Sequence, residues 1–224
     1  MITVHHLNNS RSQRVLWLLE ELGVPYEIKK YARDPDTMLA PPSFLQVHPL
    51  GKSPVITDGR LTLAESGAII EYLVERYGRG RLIPAAGTPE RLRYTYWLHF
   101  AEGSAMPPLL LKLIFDRIPK VRMPFFIKPV ARGISRKVLA MLVEPNLKRQ
   151  FDFMETELGK SEWFASNEFS AADIQMSFPL EAAAQRAGLD AGRPKLTAFL
   201  KRIHARPAYR RALERGGSYS FRND

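Results

Sequence analysis

Val15, Leu18, Leu19 and Leu22 fall at i, i+3, i+4 and i+7, which predicts a helix with one apolar face, closed by Gly23 ahead of Pro25. Short β runs flank it, Ile2 to Leu7 before and Tyr26 to Tyr31 after, and strand, helix, strand is a βαβ unit with a right-handed crossover. An irregular Pro-rich passage follows from Asp34 to Phe44. Val55-Ile56-Thr57 and Leu61-Thr62-Leu63 are two more short β runs about an Asp58-Gly59 turn, and Ala68, Ile69, Tyr72 and Leu73 return to helical spacing.

The composition of Leu82 to Pro89 is that of a linker, and from Glu90 onward helical spacing dominates. Phe169-Ser170-Ala171-Ala172-Asp173 carries a helix start, with Ser170 as N-cap, Asp173 as the reciprocal acid and Phe169 placed to staple back onto the helix. Pro179 lies inside that helix, and Leu196, Phe199, Leu200 and Ile203 form a further apolar stripe. The order βαβ, loop, ββα is that of a thioredoxin-like domain. The fold class expected is therefore an α/β thioredoxin-like N-terminal domain over residues 1–80, a linker over 81–88, and an all-α helical-bundle domain over 89–224.

Composition changes this picture in two ways. Cysteine is absent, which removes disulfides, thiolate metal sites and redox chemistry by the protein's own thiol. The net charge is +10, and eight lysines and arginines between Ser104 and Val143 face Asp116 alone. No apolar run reaches about 18 residues and no leader pattern is present, so a cytoplasmic location is expected. The five histidines lack ligand spacing, and no glycine-rich phosphate loop follows a strand, so neither a metal, a nucleotide nor a nucleic acid is expected.

The stretch from Val47 to Ile56 carries the chemistry. Two prolines and a glycine within six residues forbid a helix, so the loop turns sharply into a strand and presents an edge able to bind a peptide, and a cis bond before Pro54 suits that turn. Glu65 and Ser66 then open a helix whose first unpaired amides, with the Ser66 hydroxyl, suit a carboxylate. Taken singly, Glu65-Ser66 reads as a helix cap and Lys52 as a solvated surface lysine.

Together, P-x-G-K-x-P, a short hairpin and E-S at a helix start resemble the glutathione-binding half of the soluble glutathione transferases, and the resemblance runs over nearly the whole chain. It implies that the backbone of Ser53, before a cis Pro54, pairs with the cysteinyl part of glutathione as an added strand. It also implies that Glu65 and Ser66 grip the γ-glutamyl end and that Lys52 neutralises the glycyl carboxylate. An apolar residue is more usual at position 53.

In a thioredoxin-like domain lacking cysteine, a sulfur must arrive with the substrate, which favours a glutathione user. A free thiol ionises near pH 8.5, and the thiolate is the nucleophile. Lowering that value by about two units takes about 2.7 kcal/mol of preference for the anion. One hydroxyl donating to sulfur contributes about 1.5 to 3 kcal/mol, and a helix N-terminus about 0.3 to 1. Ser10 stands at the exit of the first strand and the start of the first helix. It matches the serine of the theta-like and the fungal and bacterial S-R-x-x-R-x-L-W-L-L transferases. Ser12 is the fallback, Asn9 is placed to assist, and Arg11 and Arg14 read as solvated or dimer-facing.

Tyr94, Trp97, Phe100 and Ser104 are the candidates for an electrophile pocket between the domains, against the alternative that helical aromatics are core. Pro107-Pro108, Pro119, Pro124 and Pro129 interrupt what in the family is a clean helical hairpin. The basic segment they punctuate, residues 107–137, reads as a lid over the cleft, or as a weak contact with an anionic membrane or an acidic partner.

The resemblance implies a homodimeric detoxifying transferase that adds glutathione to hydrophobic electrophiles, with hydroperoxide reduction as a second activity. The alternative keeps the fold and drops the reaction, leaving a non-catalytic module that binds ligands or tethers a partner.

Overall fold

In the structure, a computed structural model that describes residues 1–221, the chain opens with β1 (Ile2–Leu7), α1 (Ser12–Leu22) and β2 (Tyr26–Tyr31). A short helix α2 (Pro42–Leu45), β3 (Val55–Asp58), β4 (Leu61–Ala64) and α3 (Ser66–Tyr77) follow. The four strands form one sheet in the order β2-β1-β3-β4. β1 and β2 run parallel, and β3 is antiparallel to both β1 and β4. Helix α2 lies in the passage read from sequence as irregular, where Phe44 is fully buried and packs with Leu7, Tyr31 and Val55.

Helix α1 ends as its sequence dictates, with Gly23 in the left-handed region at φ 67°. It is buried on every side rather than on one face, because Ser12, Gln13 and Arg14 are covered as well as Leu16 and Leu19. The second cover is the last helix, α10 (Pro207–Gly216), which buries Ala208, Tyr209, Ala212 and Leu213. Tyr209 meets Trp17 edge-on at 5.2 Å. Gly216 permits this close approach, since a Cβ there would stand 2.7 Å from Gln13 Oε1 and 3.0 Å from Leu16 Cδ1. Arg206 Nη2 bonds Glu21 Oε2 at 2.9 Å, and Arg211 and Arg215 pair with Glu20. The N-terminal domain is thus clasped by the C-terminal end of the chain.

Beyond Gly78 there is no helix or strand until α4 (Pro89–Phe100), which Thr88 caps by accepting from Arg91 N at 3.2 Å, with Pro89 in the first turn. A π-helical turn over Ala101–Ala105 joins α4 to α5 (Met106–Arg117). The prolines expected to interrupt this hairpin are accommodated. Pro107 and Pro108 stand at the start of α5 just past the π turn, Pro119 lies in a 3-10 turn over Ile118–Lys120, and Pro129 opens α6 (Lys128–Val138). The first turn of a helix has no intrahelical partner for its amides, so proline costs little there.

A second π turn, Leu139–Val143, leads into α7 (Glu144–Glu157), followed by α8 (Ala171–Arg186) and α9 (Pro194–Ala205). Helix α8 is the axis of this domain, with every residue from Ala171 to Ala183 buried. Its capping acid Asp173 accepts from Ser170 N and from Phe164 N, each at 2.9 Å. Burial nevertheless raises the Asp173 carboxyl to about 6. Phe169 reaches across to Trp17, 5.7 Å away, and to Trp163 at 4.9 Å, so it staples the helical domain to α1. Leu196, Phe199 and Ile203 are fully buried, and no helix among the described residues is long and apolar enough to cross a membrane.

Candidate active site

At Gly51 the loop before β3 turns with φ 58°, and it enters the strand through a cis Ser53–Pro54 bond. A hairpin later the chain adopts φ 67°, ψ 118° at Glu65 as α3 begins. A non-glycine residue held there stores about 1 to 3 kcal/mol of backbone strain, which persists where surrounding contacts over-determine it. The Glu65 side chain makes no capping hydrogen bond and stays exposed, so the plain helix-cap reading does not describe it.

Lys52, Ser53, Pro54, Glu65 and Ser66 line one cleft of about 440 Å³. The sequence motif therefore converges in space as its spacing suggested. Leu7, Arg11, Arg33, His48 and Glu102 share the wall and were not singled out from sequence as cleft residues. Only Glu102 comes from the helical domain with Leu110, so the cleft is an interdomain one.

Ser10 is buried, 4% exposed, directly behind this wall. Its Oγ is 3.1 Å from Ser53 Oγ and 2.7 Å from Ser12 Oγ, and it accepts from Ser12 N at 3.2 Å. Ser12, with no exposure, continues the chain to His6 Nδ1 at 2.8 Å. Burial, with the Lys30 charge adding to it, depresses His6 to about 4, so the imidazole is neutral near pH 7. The line Ser53, Ser10, Ser12, His6 is a run of hydroxyls ending on a neutral ring. Its inner members have no solvent to reorient them. The Ser53 side chain, which the backbone argument left without a role, is its outermost member.

Asn9 adopts φ 51°, and its Oδ1 accepts from Ser220 N at 2.7 Å, fastening the C-terminal segment rather than facing the cleft. Arg14 is not solvated, contrary to the sequence expectation. It is 2% exposed, pairs with Glu102, donates to Gln175 O, and reaches Ser66 Oγ at 3.2 Å. Arg11 Nε joins the same carboxylate at 3.0 Å. Burial pushes the Glu102 carboxyl up, but the charges of Arg14 and Arg11 and their hydrogen bonds outweigh it and hold it below the usual range. Position 14 looked exposed because its partner lies 88 residues away, at the π turn after α4.

The aromatic candidates for the electrophile pocket are placed elsewhere. Tyr94 and Trp97 are 1% exposed, and Trp97 packs on Phe164 at 4.5 Å and Phe100 at 5.0 Å in the core of the helical domain. The Ser104 backbone carbonyl accepts from Gln150 Nε2 of α7 at 2.8 Å. None of the four lines the interdomain clefts; one turn onward, Met106, Leu109, Leu110 and Leu113 do, in a second cleft of about 440 Å³ bordered by Arg11 and Arg33. Helical spacing identified an apolar face without saying which neighbour it meets.

A four-stranded mixed sheet carrying a cis-proline loop, followed by a helical domain that closes the cleft, defines the glutathione transferase class of architecture. The glutathione S-transferase N-terminal domain family matches residues 10–76, and the glutathione S-transferase C-terminal domain family matches residues 117–207. Glutathione S-transferase 3 of Schizosaccharomyces pombe is 38% identical, over 96% of this chain and 88% of that protein. A crystal structure of a glutathione S-transferase from Actinobacillus pleuropneumoniae superposes with a TM-score of 0.79 at 33% identity, covering 99% and 95% of the two chains. A sphingomonad glutathione S-transferase complexed with glutathione gives 0.72 at 25% identity, covering 96% and 98%. This chain belongs to the soluble glutathione transferase superfamily, and its activity is that of a glutathione transferase.

Proposed function

We propose that the cleft between the cis-proline loop and the start of α3 binds glutathione, and that the Ser10 hydroxyl stabilises its thiolate for addition to an electrophile held against the helical domain. The observation that carries this reading is the convergence of Lys52, Ser53, Glu65 and Ser66 on one cleft, with Ser10 hydrogen-bonded to its wall. The cysteinyl backbone adds to the edge at Ser53, beside Pro54. The γ-glutamyl end takes the strained Glu65 and the opening amides of α3, and the glycyl carboxylate meets Lys52. Ser12, fully buried and bonded to His6, orients Ser10 instead of touching sulfur. The same thiolate attacks an organic hydroperoxide as a second activity, breaking the O–O bond and releasing the alcohol.

The reading extends to partners. A twofold homodimer is expected from the family. The turn between α5 and α6 makes a weak contact with an anionic membrane surface. Phe125 is 84% and Phe126 66% exposed there, within a segment where basic residues face only Asp116. A second copy would set like charge against like charge on that face, which disfavours self-association through it. Sedimentation with phosphatidylserine vesicles should retain protein at low salt and release it at high salt. Equal binding to neutral vesicles overturns the electrostatic part.

Conjugation of 1-chloro-2,4-dinitrobenzene and the melting temperature with and without glutathione test the main reading together. Turnover with a rise in melting temperature is expected, since a ligand at 100 times its Kd adds about 2.7 kcal/mol to stability. A rise without turnover leaves the non-catalytic module, and neither effect removes glutathione from the account.

A further inference from the structure

The second cleft has an unusual charge balance. Its lining contains five cationic side chains, Arg11, Arg33, Lys112, Arg117 and Arg186, and no carboxylate among the described residues. Two of them are neutralised from nearby, Arg11 by Glu102 at 3.0 Å and Lys112 by Asp116 at 3.0 Å. Arg33, Arg117 and Arg186 have no ion-pair partner among the described residues. Arg33 donates to the backbone carbonyls of Asn8 at 3.1 Å and Met38 at 2.9 Å, which holds its position without cancelling its charge. Arg186 lies over the Phe221 ring, 4.6 Å from its centre.

These charges work against one another. Partial desolvation at the cleft edge lowers the Arg186 pKa and the Arg117 charge lowers it further; Arg33 is lowered by desolvation and then by Arg11. The three of these like charges that lack a counter-ion cost free energy that a bound anion would recover. The floor of the cleft is of the opposite character. Leu109, Phe178, Ala182 and Phe221 are between 5 and 7% exposed, and their side chains offer no polar group. Arg117 and Arg186, both exposed, stand at the rim.

We propose that this cleft is the electrophile site and that it selects substrates with an apolar body and a carboxylate head. The inference rests on the glutathione reading above and names the substrate class of that site. The head group pairs with Arg117 and Arg186, which line this cleft and not the glutathione cleft. The body lies on Leu109 and Phe178, and the reactive carbon points to the edge that Arg11, Arg33 and Leu110 share with the first cleft. An α,β-unsaturated ketone carrying a distant carboxylate meets all three requirements. Glutathione thiolate adds to its β-carbon, the C–S bond forms as the C=C π bond breaks, and the electron pair moves to the carbonyl oxygen as an enolate. The enolate carbon then takes a proton from water. Arginine suits the head group because its planar fork matches a carboxylate with two parallel N–H bonds.

Ethacrynic acid and its methyl ester share one enone and one aromatic body and differ in charge, so they isolate the head group. The chain has no cysteine, so either compound can be titrated by calorimetry without glutathione and without modifying a protein thiol. The wild-type protein should bind the acid at least tenfold more tightly than the ester. In the double variant Arg117→Gln/Arg186→Gln that preference should fall to about twofold or less, with ester affinity unchanged, and Arg186→Lys with Arg117 retained should keep only part of it, because lysine keeps the charge and loses the fork. Equal affinity for acid and ester in the wild type, or a preference that survives the double variant, overturns the proposal. Turnover of the neutral ester with glutathione is read separately: its absence counts against the glutathione reading and leaves the binding preference standing.

Discussion

Ser10→Ala removes the hydroxyl on which the proposed chemistry turns, and two separable losses follow from its geometry. Ser10 Oγ accepts from Ser12 N at 3.2 Å where α1 begins, a hydroxyl-to-amide bond at a helix start, whose removal costs about 1 kcal/mol of folding stability. The hydroxyl also gives up its donation to the thiolate, a charge-assisted bond of about 1.5 to 3 kcal/mol, equivalent to about 1 to 2 pKa units on the bound sulfur. A bound thiol that ionises near 6.5 would then ionise between about 7.5 and 8.5, and kcat/KM at pH 6.5 should fall about 5- to 50-fold. Ultraviolet absorbance of the thiolate against pH, on protein saturated with glutathione, reads the shift directly. Ser53→Ala should give a smaller shift in the same direction, because Ser53 Oγ touches sulfur's proposed donor at 3.1 Å. A bound thiol that titrates at the same pH in wild type and Ser10→Ala refutes the assignment, and a shift confined to Ser12→Ala transfers the role to Ser12.

Other outcomes follow from the buried groups around the cleft. Glu102→Gln leaves Arg14 nearly fully buried without its counter-charge, so urea unfolding should show a loss of about 3 kcal/mol; a change within 0.5 kcal/mol would mean that solvent already compensates Arg14. His6 is depressed to about 4 in the folded protein, against about 6.5 when unfolded. Its contribution is fully present above pH 6.5 and is lost as pH falls toward 4, because the unfolded chain takes up the proton first. Between pH 7.5 and 5 this amounts to about 2 kcal/mol, and His6→Gln should flatten that part of the pH–stability profile, whereas an unchanged slope would assign it to other groups.

The cleft proposed for glutathione was legible in the sequence wherever the determinants of its shape are local. Pro49, Gly51 and Pro54 each restrict the backbone of their own short stretch, and the hairpin that follows fixes their separation from Glu65 and Ser66, so the motif and the geometry coincide. What was not legible depends on contacts between distant segments. Nothing near Arg14 in the chain indicates that Glu102 will meet it, and nothing near α1 indicates that α10 will cover its polar face. The aromatics of α4 illustrate the same limit. Tyr94 and Trp97 carry a strong apolar signal, yet the face they occupy turns into the domain core, and it is Leu109 and Leu113, after the π turn, that line the second cleft.

That π turn explains why the two domains act as one site. An α-helix continued without the extra residue would rotate everything after Ala101 by about 100°, and Met106, Leu109 and Leu113 would leave the cleft together. With the turn in place, Glu102 projects from the helical domain onto Arg11, just before α1, and Arg14 within it, and Arg14 in turn reaches Ser66 Oγ at the start of α3. The first helix therefore carries Ser10, the serine proposed to face sulfur, at its N-terminal approach, the interdomain ion pair one turn later, and the hydrogen bond to Ser66, proposed to hold the γ-glutamyl end. A disturbance at Glu102 should be felt at the γ-glutamyl end of the tripeptide, as a rise in KM for glutathione larger than the fall in kcat, because its removal loosens Arg14 and Ser66 while the Ser10 hydroxyl chain keeps its own partners Ser12 and Ser53.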